Sequence, residues 1–166
     1  LQLVDEKKAH MGSRTLKLTE AEQTFTFVNL SVAPVPSLLR DFSAPVKVHY
    51  AYDREELAFL FANDSDAFNR WEAGQRLATD VLLEMVDDIR AKRIAEVPDD
   101  FLTAFRSALQ DREADPALLS LALTLPGEME LAEAMGVADP GAIHAARQTL
   151  RSALAFELEE DIAAVL

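Results

Sequence analysis

The sequence predicts a mainly α protein with an N-terminal β segment, and three observations carry that prediction. Before about Tyr52, apolar and polar residues alternate in short runs, the period-two pattern of half-buried strands. From Asp66 to about Arg93 the apolar residues recur at spacings of three and four, as on one long amphipathic helix. The charge balance turns over at the same place. Residues 1–52 hold six Lys/Arg and five Asp/Glu (+1), and residues 53–166 hold ten and twenty-four (−14), which together give the net −13. A coincident change of period and charge marks a domain boundary, so the chain is divided into 1–52 and 53–166.

In the first part, Leu1 to Asp5 reads as a strand and Glu6-Lys7-Lys8 as a loop. His10-Met11-Gly12-Ser13 reads either as a turn or as a cloning scar, so His10 carries no weight. Arg14 to Leu18, Gln23 to Leu30 and Val46 to Tyr52 alternate and predict strands, with a turn at Thr19–Glu22. Pro34-Val35-Pro36 lacks two ladder donors and predicts an extended linker. Ser37 to Phe42 fits a strand or a single helical turn. About four strands are too few for a complete sandwich, which takes about seven.

Helix signals dominate the second part. Asp53 and Glu56 form a capping box ahead of Leu57, Leu60 and Phe61. Asp66 caps the long helix, whose stripe is Phe68, Trp71, Gln75, Ala78, Leu82, Met85 and Ile89, with Trp71 as a core anchor. Phe101, Leu102, Phe105 and Leu109 mark the next helix. Asp115-Pro116 and Asp139-Pro140 are N-caps followed by proline at the first helical position. Between them a short helix starts at Pro126 and stops at Gly136 in a left-handed cap. The last helix runs from Pro140 towards Leu166, with Ile143, Ala146, Leu150, Leu154 and Leu158 on one side. Short helices with short joints suggest an array or solenoid.

Composition excludes several functions. A 166-residue chain with 49% hydrophobic and 27% charged residues is that of a globular protein. With no cysteine there is no disulfide framework, thiolate nucleophile or cysteine zinc cluster, which favours a reducing, cytoplasmic setting. The net charge argues against a nucleic-acid partner, since phosphate binding needs a basic face. The longest nearly apolar run, Ala117 to Pro126, is too short to span a bilayer, and residues 1–16 lack the pattern of a signal peptide. An acidic helical half either attracts cationic ligands such as peptide amines or is simply a solvated surface.

A search for chemistry finds no catalytic, cofactor-binding or metal site. His10, His49 and His144 are far apart in sequence, and none lies in a His-Glu-x-x-His helix. There is no glycine-rich phosphate loop and no Gly-x-Ser-x-Gly elbow. Asp87-Asp88, Asp99-Asp100 and Glu159-Glu160 are adjacent pairs, which diverge on a helix.

Thr19 to Phe25, Pro34-Val35-Pro36-Ser37-Leu38-Leu39-Arg40-Asp41-Phe42-Ser43-Ala44-Pro45-Val46-Lys47, and Asp64-Ser65-Asp66-Ala67-Phe68-Asn69-Arg70-Trp71-Glu72-Ala73-Gly74-Gln75 resemble, in order, the C-terminal part of the bacterial aminopeptidase N family. Leu123 to Glu128 is similar to that family further on. The resemblance implies a partial Ig-like β-sandwich followed by a solenoid-like helical array. It also implies a parent zinc metallopeptidase that removes N-terminal residues from peptides. In that family a His-Glu-x-x-His motif with a downstream glutamate holds zinc, and Gly-Ala-Met-Glu-Asn binds the substrate amine. Neither motif is in this chain, so the expectation is an inactive, non-catalytic fragment that helps cover the substrate chamber. Its expected partners are the remainder of the parent, the parent's peptide substrates and a second copy through surfaces exposed by truncation, but no nucleic acid or membrane. A stand-alone helical interaction scaffold is the alternative.

Overall fold

Helix α2 (Ala67–Arg90) is the central helix of the array. The computed structural model describes residues 2–4, 10–13 and 15–165. Asp66 starts α2 by accepting the amides of Phe68 at 3.1 Å and Asn69 at 2.9 Å, which satisfies two of the N–H groups a helix start leaves unpaired. At the other end Lys92 adopts φ 57°, and Arg93 N–H returns to the Asp88 carbonyl at 2.8 Å. With Lys92 N–H on Ile89 O at 3.0 Å, this is a Schellman closure built on lysine where glycine is the usual residue.

The buried face of α2 follows two i, i+4 rows, Arg70-Gly74-Ala78-Leu82-Val86 and Ala73-Leu77-Val81-Met85. The expected stripe holds at Ala78, Leu82 and Met85 but fails at Phe68 and Trp71, which are 42% and 37% exposed. The reason is geometric. Spacings alternating three and four repeat every 3.5 residues, so against a 3.6-residue helix the stripe drifts about 20° per seven residues. The buried face instead follows the i, i+4 rows, which wind about 40° per step the other way, so back from Ala78 it runs through Gly74 to Arg70 and leaves Trp71 at the surface.

Helix α1 (Arg54–Asn63) begins at the expected capping box, Glu56 N–H to Asp53 Oδ1 at 2.8 Å and Asp53 N–H to Glu56 Oε2 at 3.0 Å. It lays Leu57, Leu60 and Phe61 onto α2. At Gly74 there is no room for a side chain: a Cβ would lie 2.8 Å from the Phe61 ring. Helix α3 (Asp99–Leu109) buries Phe101, Ala104 and Ala108 against α1. Helix α4 (Pro116–Ala122) is capped by Asp115 as expected, through the amides of Ala117 and Leu118 at 2.9 and 3.1 Å.

Helix α5 (Glu128–Ala134) starts two residues after Pro126, and Gly136 is not left-handed. Its C-cap is Met135 in the extended region. Helix α6 (Pro140–Glu157) does not continue towards the chain end. It breaks at Leu158, and α7 (Glu159–Val165) follows. Leu158 is fully buried, and Arg106 donates to the Glu157 carbonyl at 3.1 Å and to Asp161 at 2.9 Å. The break keeps the leucine in the core while α3 takes up a freed carbonyl. It also places Glu159, Glu160 and Asp161 in a first turn, where the helix dipole favours them.

The β segment departs most from expectation. Three short strands, β1 (Gln2–Val4), β2 (His10–Ser13) and β3 (Val35–Ser37), form one antiparallel sheet in the order β2-β1-β3. His10–Ser13 is therefore a strand, and the proline segment is an edge strand, Leu3 facing Pro36. An edge position suits residues that cannot donate to a ladder on their free side. The alternating runs 15–18, 23–30 and 46–52 form no ladder among the described residues. Alternation encodes a face to bury but not the partner strand, and no partner is present for them here. Residue 14 and Glu6-Lys7-Lys8 lie outside the described residues, as do Leu1 and Asp5.

Among the described residues, every fully buried large side chain comes from residues 57–158. Leu77, Leu82, Met85, Phe101 and Leu150 are each worth about 1.5–3 kcal/mol of burial. The helices therefore hold the fold, and the β segment rests on their edge.

Candidate functional site

Two of the three longest stretches that carry the family resemblance, Pro34–Lys47 and Asp64–Gln75, are brought together in space. Their meeting point is a buried polar network. Ser37 Oγ donates to Asp64 Oδ2 at 2.6 Å, and Arg40 pairs with Asp64 Oδ1. Arg40 also reaches Ser37 Oγ at 3.0 Å and Ser65 Oγ at 2.9 Å. Asn69, one turn into α2, donates to Ser37 Oγ at 2.9 Å and the Leu38 carbonyl at 2.8 Å. Asp66 joins both sides, capping α2 with Oδ1 and accepting Asp41 N–H on Oδ2 at 2.9 Å. The Asp64 side chain is fully buried, so its charge needs this complete set of donors. Among the described residues no buried side-chain polar atom is left unpartnered.

The network fixes an unusual backbone. Leu39, Asp41 and Phe42 have φ of 52°, 55° and 51°, a left-handed region costly for residues with a Cβ. The turn swings Phe42 outward, 72% exposed, over Phe68 at 4.6 Å between ring centroids. Phe68 in turn meets Trp71 at 5.5 Å. Two openings of about 510 Å³ flank this aromatic row. One lies against Val46, Val48, Tyr50, Tyr52 and Arg76. The other is a groove lined by Asp41, Phe42, Asp66, Ala67, Phe68, Trp71, Leu118 and Leu121, apolar except for two carboxylates.

A second link ties residues 36–52 to the helices. Tyr52 Oη donates to the Pro36 carbonyl at 2.6 Å, and Arg76 lies over its ring at 5.1 Å while donating to Tyr50 O at 3.1 Å. Burial pushes the Tyr52 phenol up to about 12, against the pull of the Arg76 charge. Farther along, Arg70 is buried and donates to Phe61 O at 2.9 Å and Asp111 Oδ2 at 2.6 Å. Burial acts to raise Asp111, but the Arg70 hydrogen bond and the backbone amides outweigh it and hold the carboxyl below its ordinary range.

The residues singled out from sequence do not converge. His49 is exposed. His144 Nδ1 lies 2.9 Å from Glu128 Oε1 at the surface. Asp88 pairs with Arg93 at 2.6 Å and Asp87 sits 3.9 Å from Arg90. Asp99-Asp100 and Glu159-Glu160 occupy first turns of their helices. Among the described residues no group of three His, Cys, Asp or Glu could hold a metal ion, so the donors present do not fit a zinc centre. No helix of the described residues is long and apolar enough to cross a membrane.

Comparison with known proteins gives this junction a context. The chain is 39% identical over 161 residues to aminopeptidase N of Escherichia coli, which spans 96% of this chain and 18% of that protein. To aminopeptidase N of Haemophilus influenzae it is 39% identical over 149 residues, 90% of this chain and 17% of that one. The crystal structure of Legionella pneumophila aminopeptidase A in complex with aspartic acid superposes with a TM-score of 0.77 at 30% identity, over 99% of this chain and 19% of that chain. The chain thus spans less than a fifth of the length of these relatives. Residues 1–51 match a domain of unknown function, DUF3458, with an Ig-like fold. Residues 54–166 match a domain of unknown function, DUF3458_C, with ARM repeats. The fold is accordingly an Ig-like segment followed by a helical array, and the chain belongs to the DUF3458_C family.

Proposed function

We infer that this chain is a non-catalytic part of a zinc-dependent peptidase of the aminopeptidase N type, acting in the cytoplasm. Its helices, from residue 53 onward, form part of the cover of the substrate chamber, and residues 1–52 complete a β-sandwich domain of the parent. The observation that carries this reading is the identity of 39% spread over 96% of the chain. On this reading, zinc and the bond-breaking groups belong to the parent's other domains. The junction network suits such a role, because it fixes the angle at which the helices leave the β segment.

The test pairs the 166-residue chain with the complete reading frame that encodes it. The expected result is zinc bound in a one-to-one ratio and hydrolysis of amino-acid anilides by the full product, with neither in the chain alone. Stoichiometric zinc with turnover in the isolated chain would sink the reading, as would a reading frame that encodes only these residues.

A further inference from the structure

The corner where α1 gives way to α2 divides its polar atoms into two sets. Asp64 Oδ1 accepts Asp66 N–H at 2.9 Å, and Asp66 Oδ1 accepts the first amides of α2. These bonds lie within residues 64–69 and close without residues 1–52. The second set reaches away from the helices. The hydrogen-bond partners of Asp64 Oδ2, Asp66 Oδ2 and Asn69 Nδ2 all belong to residues 37–41.

Residues 37–41 meet that set with two side chains three positions apart and two backbone groups. The Ser37 hydroxyl donates to Asp64 and accepts from Arg40 and Asn69, which fills its whole capacity. Arg40 straddles the corner, with Nη1 on Asp64 and Nη2 on Ser65 Oγ. The Leu38 carbonyl and the Asp41 N–H supply the backbone bonds, to Asn69 and Asp66. A hydroxyl followed three residues on by a planar guanidinium is what this corner reads. Apolar burial contributes little: of residues 37–41 only Ser37 is buried, and of residues 15–52 only Val35 and Tyr52 pack, partly buried, against the helical core. The segment also does not hold its shape by itself. Leu39 and Asp41 sit at φ of 52° and 55°, a region that a free chain of such residues seldom visits.

We propose that the α1–α2 corner is a binding site for the Ser-x-x-Arg segment of its own chain, and that this recognition outlasts the covalent link between them. The segment at residues 37–41 is an intramolecular ligand, and residues 43–52, which form no ladder, are its tether. The clasp, and not the tether, joins the β segment to the helices.

The test cuts the tether in the folded full chain. A cleavage sequence for a specific protease is placed between Lys47 and Val48, both exposed. After cutting, the 1–47 and 48–166 pieces should co-elute at micromolar concentration. Ser37→Ala should raise their dissociation constant about tenfold or more, and Arg40→Met about thirtyfold or more, because Asp64 is then buried without its cation. Both changes lie on the segment, so the helices keep their own bonds. Tyr52→Phe, which removes the bond to the Pro36 carbonyl, should raise it only about threefold. In the uncut chain, Arg40→Met should speed exchange of the Asp41 amide severalfold while the amides of α2 stay protected. Pieces that separate on cutting overturn the proposal. So does an association that ignores both Ser37→Ala and Arg40→Met, because apolar contact or strand pairing then holds the pieces. Equal acceleration in α2 also overturns it, since residues 37–41 are then part of the cooperative core and not a ligand of it.

Discussion

Gly74 shows how much can rest on one missing atom. A Cβ there would sit 2.8 Å from two carbons of the Phe61 ring, itself 1% exposed, and 3.4 Å from the Ala122 carbonyl. Overpacking of this kind costs about 1–3 kcal/mol, while alanine regains about 1 kcal/mol of helix propensity. Gly74→Ala should therefore destabilise by about 1 kcal/mol. Gly141 is the control, exposed near the start of α6 with its nearest neighbour at 3.6 Å, and Gly141→Ala should be neutral or stabilising in the same urea titration. Lys92 poses the opposite case, a Cβ-bearing residue at φ 57°, so Lys92→Gly should stabilise by about 0.5–1 kcal/mol. Tyr52 adds a pH signature. Its folded pKa of about 12 lies above the ordinary 10, so the folded state holds the proton more tightly than the unfolded one. The stability it contributes is complete below pH 10 and lost as pH rises from 10 towards 12. Tyr52→Phe should flatten that part of the alkaline denaturation profile; an unchanged slope would assign the loss to other groups.

At the level of elements, what the sequence made legible follows from what its signals encode. Caps were legible because they are local: Asp53, Asp66, Asp115 and Asp139 each accept amides within three residues. The expected strands failed because pairing is non-local, and Val46–Tyr52 alternates without a ladder among the described residues. The break at Leu158 escaped notice because the leucine continues the apolar spacing of α6, while its cause, Arg106, lies 52 residues away in sequence. The junction network was hidden for the same reason, its Ser37–Asp64 bond joining residues 27 apart. Only the two stretches resembling a known family pointed to it. Helix α7 gives this view a test. It is held by Arg106 and Gln110 on Asp161, at 2.9 and 2.6 Å, and by Arg112 on the Ala164 carbonyl at 3.3 Å. None of its residues is buried. Arg106→Ala should therefore speed amide exchange in Glu159–Val165 severalfold while leaving the α2 core protected. Equal acceleration in both regions would make α7 part of the cooperative core.

For the whole molecule, the competing terms are an exposed apolar face and a net charge of −13. The face that includes Phe42, Phe68, Trp71, Leu118 and Leu121 favours self-association, and the charge opposes it. Salt changes one term and not the other. The screening length falls from about 10 Å at 0.1 M to about 3 Å at 1 M, while burial of apolar area is undiminished. The chain should thus sediment as a monomer in 50 mM salt and form dimers in 1 M sodium chloride. Leu121→Ser should keep it monomeric in both, whereas Leu123→Ser, near the core, would confound by unfolding and is not an equivalent change. Dimers at low salt that dissolve as salt rises would mean that ion pairs, not the aromatic face, join the copies. The same experiment bears on the parent: if salt-induced dimers hide Trp71 from a soluble quencher, the face is one that associates as soon as repulsion is screened.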